Sequence, residues 1–210
     1  MRKLNGFPTV ALLTCLIALL GISGSAGATS FRVHAGKDSR VTFASKAAME
    51  QFEGKTNSLE GEIDIDPAAL GDSASVRFEV DLATLDTGLK MRNTHMRENH
   101  LETAKFPKAV FEGAALRGRS ARALEAGRAE SLDVEGTFTL HGVSRRIRIA
   151  VEIVYRPAPA PARIEFNTTF PVALGDYAIA RPQFLFLKLA DVQTVKVRGV
   201  ALEAPEKITK

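Results

Sequence analysis

Four groups of residues in this chain have types and spacings that could do chemistry. The first is Leu85-Asp86-Thr87-Gly88, which holds an Asp-Thr-Gly triplet. Aspartic proteases bring two such carboxylates together so that they share one proton. This chain carries one copy, so a dimer would be needed, and Leu89 follows where those enzymes place Ser or Ala. A strand-end turn with Gly88 at a special backbone angle accounts for the triplet more simply. The second group is His95, Glu98 and His100. His95 and Glu98 are three apart and could share a helix face. His100 is five from His95, whereas a zinc-type helix motif needs a spacing of four. Neither the spacing nor the ligand count supports a closed metal site. A polar helix pinned to the body of the protein is the simpler reading, and a metal-dependent enzyme built on this segment is the alternative. The third is His141, beside Gly142 at a turn. With no Gly-x-Ser-x-Gly elbow in the chain, a structural role suits it better than catalysis. The fourth is Arg145, Arg146 and Arg148, at a strand start. They could attract a lipid phosphate, but a solvated strand edge is the commoner reason for such a cluster.

The elements that must position these residues are strands. In Ser75–Leu82, Val76, Phe78, Val80 and Leu82 take one face while Arg77, Glu79 and Asp81 take the other. This period of two marks a strand with one buried face. It recurs in Leu59, Gly61, Ile63, Ile65 and in Leu132, Val134, Gly136, Phe138, Leu140. It recurs again in Ile147, Ile149, Val151, Ile153, Tyr155 and in Ile164, Phe166, Thr168, Phe170. The last run carries Val195 and Val197, and a bulge near Gly199 is expected to bring Val200 and Leu202 to the same face. Asp66-Pro67, His141-Gly142 and the Pro-rich 157–161 segment punctuate the runs. The strands are expected to be antiparallel, because no crossover helix lies between most of them. Residues 89–102 have no alternation and several helix formers. They predict a short helix, ended before Pro107, that lies outside the β structure or over an opening in it.

Composition narrows the classes. The 210 residues are 45% hydrophobic and 25% charged, which excludes wholesale disorder. The formal charge of +4 comes from interspersed signs without a basic block, so nucleic acid is not an expected partner. Residues 1–28 read as a secretory signal peptide. Arg2 and Lys3 precede the apolar Val10–Leu20 stretch, and Ala26-Gly27-Ala28 supplies the small residues for cleavage before Thr29. The apolar stretch is too short for a bilayer span, which needs about 20 residues, and no second stretch after it is long enough. The single Cys15 falls inside the leader, so the mature chain would be held by its apolar core and not by disulfides. A periplasmic location follows as an expectation, or secretion if the host has no outer membrane. Residues 29–204 form one domain and 205–210 a tail.

The chain has no Trp, two Tyr and twelve Phe. Phe43, Phe78, Phe111, Phe138, Phe166 and Phe170 fall on inward faces, with Val80 and Leu85 beside them. A packed sandwich and a barrel with an unfilled interior both give this pattern. Around eight strands can enclose one small ligand, and Phe walls suit a hydrocarbon chain.

The ordered motifs resemble the YceI-like family of exported, polyisoprenoid-binding, lipocalin-like proteins. The residues that carry the likeness are Ser39–Phe43, Leu59–Ile63 and Val80–Gly88, then Met91–Met96 and Phe106–Phe111, and finally Val134–Arg145. Asp38-Ser39-Arg40 stands where the family commonly has a His-Ser pair, and both Ala47–Ser58 and Arg97–Glu102 depart from its pattern. The resemblance implies an all-β, antiparallel, eight-stranded barrel that holds a long isoprenoid tail, such as that of a quinone, without catalysis. The eight apolar residues just named would line the interior, and Arg92, Asn93 and His95 would meet the head group. It implies no metal and no cofactor beyond the lipid itself, and a homodimer is compatible with it. An envelope stress or interaction protein with a filled core is the other alternative.

Overall fold

The computed structural model describes residues 28–46, 51–70, 74–118, 123–159, 161–184 and 187–205. The expected leader, apart from residue 28, and the expected tail, apart from residue 205, lie outside these ranges.

The alternating runs form strands. These are β1 (Thr29–Val33), β2 (Arg40–Lys46), β3 (Gln51–Thr56), β4 (Leu59–Ile65), β5 (Ser75–Asp81) and β6 (Lys108–Gly118). They continue as β7 (Ala129–Leu140), β8 (Val143–Arg156), β9 (Arg163–Ala173), β10 (Gln183–Phe184), β11 (Leu187–Lys188) and β12 (Val192–Glu203). The only α-helix among the described residues is α1 (Lys90–His95), which runs on into a wider π turn at Met96–His100. The short β10–β11 ribbon stands apart from the main sheet.

The main sheet closes into an eight-stave antiparallel barrel. β1 and β2 both pair with β12, Arg32 opposite Leu202 and Arg40 opposite Arg198, so they are two halves of one stave. β4 pairs with β1 and β3 with β2, so β3 and β4 are likewise one stave with a break at 57–58. The other staves are β5, β6, β7, β8, β9 and β12, and the pairing of β12 with β1 closes the ring. Ser39, 1% exposed, holds the first break by donating its hydroxyl to the Asn57 carbonyl at 3.1 Å.

Local chemistry explains the joints. β7 and β8 meet in a two-residue turn, where His141 (φ 51°) and Gly142 (φ 74°) take the left-handed angles of the hairpin turn that matches strand twist. Inward faces are the predicted ones in β7, where Leu132, Val134, Phe138 and Leu140 are buried. The expected bulge in β12 is absent. Its register with β9 runs unbroken from Val192 to Leu202, so Gly199 and Ala201 stay inward and Leu202 is exposed. These small residues are needed there, because a larger one at 199 would meet the Phe166 ring. The bulge lies in β6, between Gly113 and Ala115.

One joint is thin. β5 pairs with β4 only up to Leu59–Val80. Beyond that point β3 meets the segment after β5 through Lys55 and Asp86, whose backbones exchange two hydrogen bonds of 2.9 Å. A hydroxyl cluster of Thr56, Ser58 and Thr84 sits beside this bridge.

The outer surface carries cross-strand ion pairs. Glu79 joins Arg77 and Lys108, and Glu165 joins Arg156 and Arg163. The Arg146 and Arg148 guanidiniums reach Glu135, and Arg145 Nε donates to the Asp176 carbonyl at 3.0 Å. The basic cluster noted in the sequence is thus paired on the barrel exterior.

Candidate functional site

The barrel encloses a cavity of about 1070 Å³. This is at or above the upper end of ordinary ligand pockets, so a filled core does not describe the molecule. The void survives because of how the aromatic rings are stored. Phe43 lies opposite Gly54, Phe78 opposite Gly61 and Phe166 opposite Gly199 in the strand register. A Cβ at those glycines would come within 2.2 Å, 2.3 Å and 2.7 Å of the respective rings. Phe111 covers Gly136 in the same way, with 2.7 Å to its Cζ. Each ring therefore leans over bare backbone at the wall, although those of Phe78 and Phe166, on opposite staves, still approach to 5.2 Å between centroids.

Phe43, Phe78, Val80, Leu85, Phe111, Phe138, Phe166 and Phe170 all border this cavity. Away from the mouth, Ile63, Ile65, Ile153 and Ile164 line it. Phe31 packs edge-on against Tyr155 at 6.3 Å in the same region, and neither borders the void. Phe31 is fully buried, and Leu124, whose amide donates to the Pro67 carbonyl at 2.7 Å, is buried near that end of the barrel.

The mouth is made by the 85–101 segment. Leu89 and Met91 are 56% and 77% exposed and border the opening with Lys90, Arg92 and His95. The helix is thus a cover over an opening. Its position is set by a hydrogen-bonded turn. Asp86 Oδ1 accepts from the Gly88 amide at 2.9 Å and from Asn93 Nδ2 at 2.7 Å. The same two bonds, the amide foremost, hold the Asp86 carboxyl below its ordinary range. Gly88 has φ 81°, the left-handed angle a turn there requires. Asn93 Oδ1 accepts from the Thr87 amide at 2.8 Å and hydroxyl at 2.7 Å. Asn93 is therefore committed to the turn and does not border the cavity. Arg92 borders it but donates to the Thr87 hydroxyl and carbonyl at 2.9 Å and 2.8 Å, and its guanidinium lies 4.0 Å over the Phe52 ring.

The histidines do not assemble a metal site. Among the described residues no three His, Cys, Asp or Glu side chains gather to hold an ion. His100 Nδ1 donates to the Ala180 carbonyl at 3.0 Å. Burial pushes its imidazole below the ordinary value, the bond to Ala180 opposes this, and nearby His95 adds to the lowering. His141 binds across the rim, with Nδ1 on the Tyr177 carbonyl at 3.1 Å and Nε2 on Glu102 at 2.6 Å. Glu102 (φ 45°), His141 (φ 51°) and Ala178 (φ 54°) are the described non-glycine residues with left-handed backbones, and all three sit on this rim.

Sequence reasoning missed several lining residues, notably Phe52, Ser45 and Gln193. Parity along the strand was the available signal. Ser45 is two beyond Phe43 and Gln193 two before Val195, so both share the inward face.

The family model for the YceI-like domain matches residues 32–201, well over half of the chain. The chain belongs to the YceI-like family. Solved structures with the same barrel agree with this assignment of the YceI-like fold. A polyisoprenoid binding domain from Saccharophagus degradans, implicated in plant cell wall breakdown, is 20% identical with a TM-score of 0.64, over 85% of this chain and 99% of that one. BcnA of Burkholderia cenocepacia is 20% identical with a TM-score of 0.61, over 77% and 95%. The Campylobacter jejuni YCEI protein is 19% identical with a TM-score of 0.60, over 72% and 85%. No curated protein matches the chain significantly. No helix of this YceI-like domain is long and apolar enough to cross a membrane, among the described residues.

Proposed function

We propose that this protein is an exported, non-catalytic carrier that holds a long-chain isoprenoid or similar amphiphilic lipid, quinone-like in form, inside the barrel. The observation that carries the reading is the apolar lumen of about 1070 Å³, kept open by rings stored over glycines. A dry cavity of ~150 Å³ takes up one benzene ring, so this one has room for several prenyl units. Each buried CH₂ group returns about 0.8 kcal/mol, which makes a long tail the natural occupant. The polyisoprenoid binding domain among the similar structures supports the same ligand class. The polar group of the lipid rests at the 85–100 end, where the lining turns polar with Arg92 and His95. The leader pattern in residues 1–28 supports export to the periplasm.

Purification from the native host followed by lipid mass spectrometry tests the reading. A co-purified isoprenoid is the expected result. A protein that arrives empty and takes up no long-chain quinone would overturn it.

A further inference from the structure

Two side chains on the lumen wall have polar atoms with no partner. Ser45 is 1% exposed and Gln193 is 6% exposed, and both border the cavity. Ser45 Oγ and Gln193 Oε1 have no hydrogen-bond partner. They are neighbours across the β2–β12 pairing. Ala44 stands opposite Thr194, and one step further along both strands sets Ser45 beside Gln193. Gln193 is also oriented. Its Nε2 donates to the Ala190 carbonyl at 2.6 Å, which leaves the carbonyl oxygen as the free end. A buried polar atom left unpaired is destabilising, and a guest that pairs with these two removes that penalty.

We propose that Ser45 and Gln193 form the head-group subsite of the barrel, and that it selects a ligand hydroxyl, as in an isoprenol or a quinol, over a carbonyl or ether. The inference deepens the carrier reading and rests on it. The chemistry follows from the two vacant valences. Gln193 Oε1 can only accept, so it needs a donor. The Ser45 hydroxyl hydrogen needs an acceptor. A single hydroxyl donates to the first and accepts from the second. A carbonyl or an ether serves Ser45 alone and leaves Gln193 Oε1 desolvated. A phosphate or carboxylate would set negative oxygen against that same carbonyl. An ammonium offers the Ser45 hydrogen no acceptor, and no acidic side chain among the described lining residues would compensate its charge.

The location suits an amphiphile. Ser45 pairs with Phe52 in the β2–β3 register, and Phe52 lies under Arg92 at the mouth. A hydroxyl held there leaves the tail to run along the Phe43, Phe166 and Phe170 walls. Arg92, by contrast, already donates to Thr87.

The test uses the mature chain and a matched pair of probes, geranylgeraniol and its methyl ether, each competed against a fluorescent fatty-acid analogue. The ether keeps the acceptor and the tail and removes only the donor. The alcohol should bind about tenfold tighter than the ether, the discrimination expected when a buried acceptor loses its donor. Gln193→Met and Gln193→Leu, each checked for native circular dichroism, should bring the ratio toward one while ether affinity changes little, whereas Ser45→Ala removes a donor to both probes and should weaken them alike. Two Gln193 variants are used so that a misfolded one does not decide the question. Equal affinities in the wild-type protein, the result expected if water alone serves these atoms, would overturn the subsite and leave the carrier reading standing. A ratio unchanged in both Gln193 variants would overturn it as well. If neither probe binds, the carrier reading itself fails and the subsite with it.

Discussion

The open lumen depends on glycines opposite phenylalanines, and Gly199→Ala probes this most cleanly. The new Cβ would stand 2.7 Å from Phe166 Cζ and 3.0 Å from Cε1, with Leu59 Cδ2 at 3.4 Å. All three neighbours are side-chain atoms, so the backbone need not move. Ordinary contact begins near 3.4 Å, and the ring must therefore withdraw by roughly 0.7 Å. Phe166 borders the cavity, so the ring moves inward, toward the Phe78 ring that already lies 5.2 Å away. Overpacking of this kind costs about 1–3 kcal/mol. For a chain of this size, 1 kcal/mol corresponds to about 2–4 °C in Tm, so a fall of about 2–12 °C is expected. The ring also excludes one or two methylene groups of a guest. At ~0.8 kcal/mol each this weakens a long prenyl ligand about tenfold. Replacing the ring in the same chain, as Gly199→Ala with Phe166→Leu, should recover most of both losses. Thermal unfolding of the empty protein and titration with a prenyl alcohol read the two effects separately. A single variant with wild-type Tm and affinity, or a double variant no better than the single, would refute the stored-ring account.

Other outcomes follow from single contacts. Phe31→Ala removes a fully buried ring that packs on Tyr155 beside the lumen, and should lower stability by about 3–5 kcal/mol in denaturant titration. Arg92→Ala frees the Thr87 turn from the helix and should cost about 1–3 kcal/mol, with faster amide exchange across 87–96. Arg92→Lys should restore little of this, because one ammonium cannot reproduce a forked donor over an aromatic face. His100 titrates lower in the folded protein than its ordinary 6.5, mainly through burial. The unfolded chain therefore takes up the proton first. The His100 contribution to stability is whole above the unfolded value and is lost as pH falls from there toward the folded one. Tm followed across that window should fall less in His100→Gln than in the wild-type protein.

Strands and their inward faces were readable because one-sided burial writes itself as a period of two, as Leu132 to Leu140 shows. The last strand misled for the same reason. Val200 and Leu202 invited an inward reading, whereas the inward positions are the small Gly199 and Ala201 that accommodate neighbouring rings. Hydrophobicity alone does not register a glycine that is inward because something large lies on it. The distinction between open and filled interior was illegible for a related reason, since it depends on which residue faces which across strands distant in sequence. Arg92 and Asn93 looked alike as polar mouth residues, yet Asn93 is consumed by the Asp86 turn. Ser45 and Gln193 were hidden because two short polar residues in separate strands acquire meaning only once the register sets them together.

The weak joint between β3 and the segment after β5 bears on how a guest gets in. Long prenyl chains threaded end-first through a narrow mouth would have to shed their hydration one unit at a time. Here the wall has a sparsely paired joint, held by the reciprocal Lys55–Asp86 backbone bonds and a few hydroxyls. Unlatching it frees the β2–β3 flap, which is otherwise hinged on β12. If the barrel carries a prenyl chain as proposed, opening this joint would let it be laid in sideways, and exchange with a donor would then depend on how often the latch springs and only weakly on how long the passenger is.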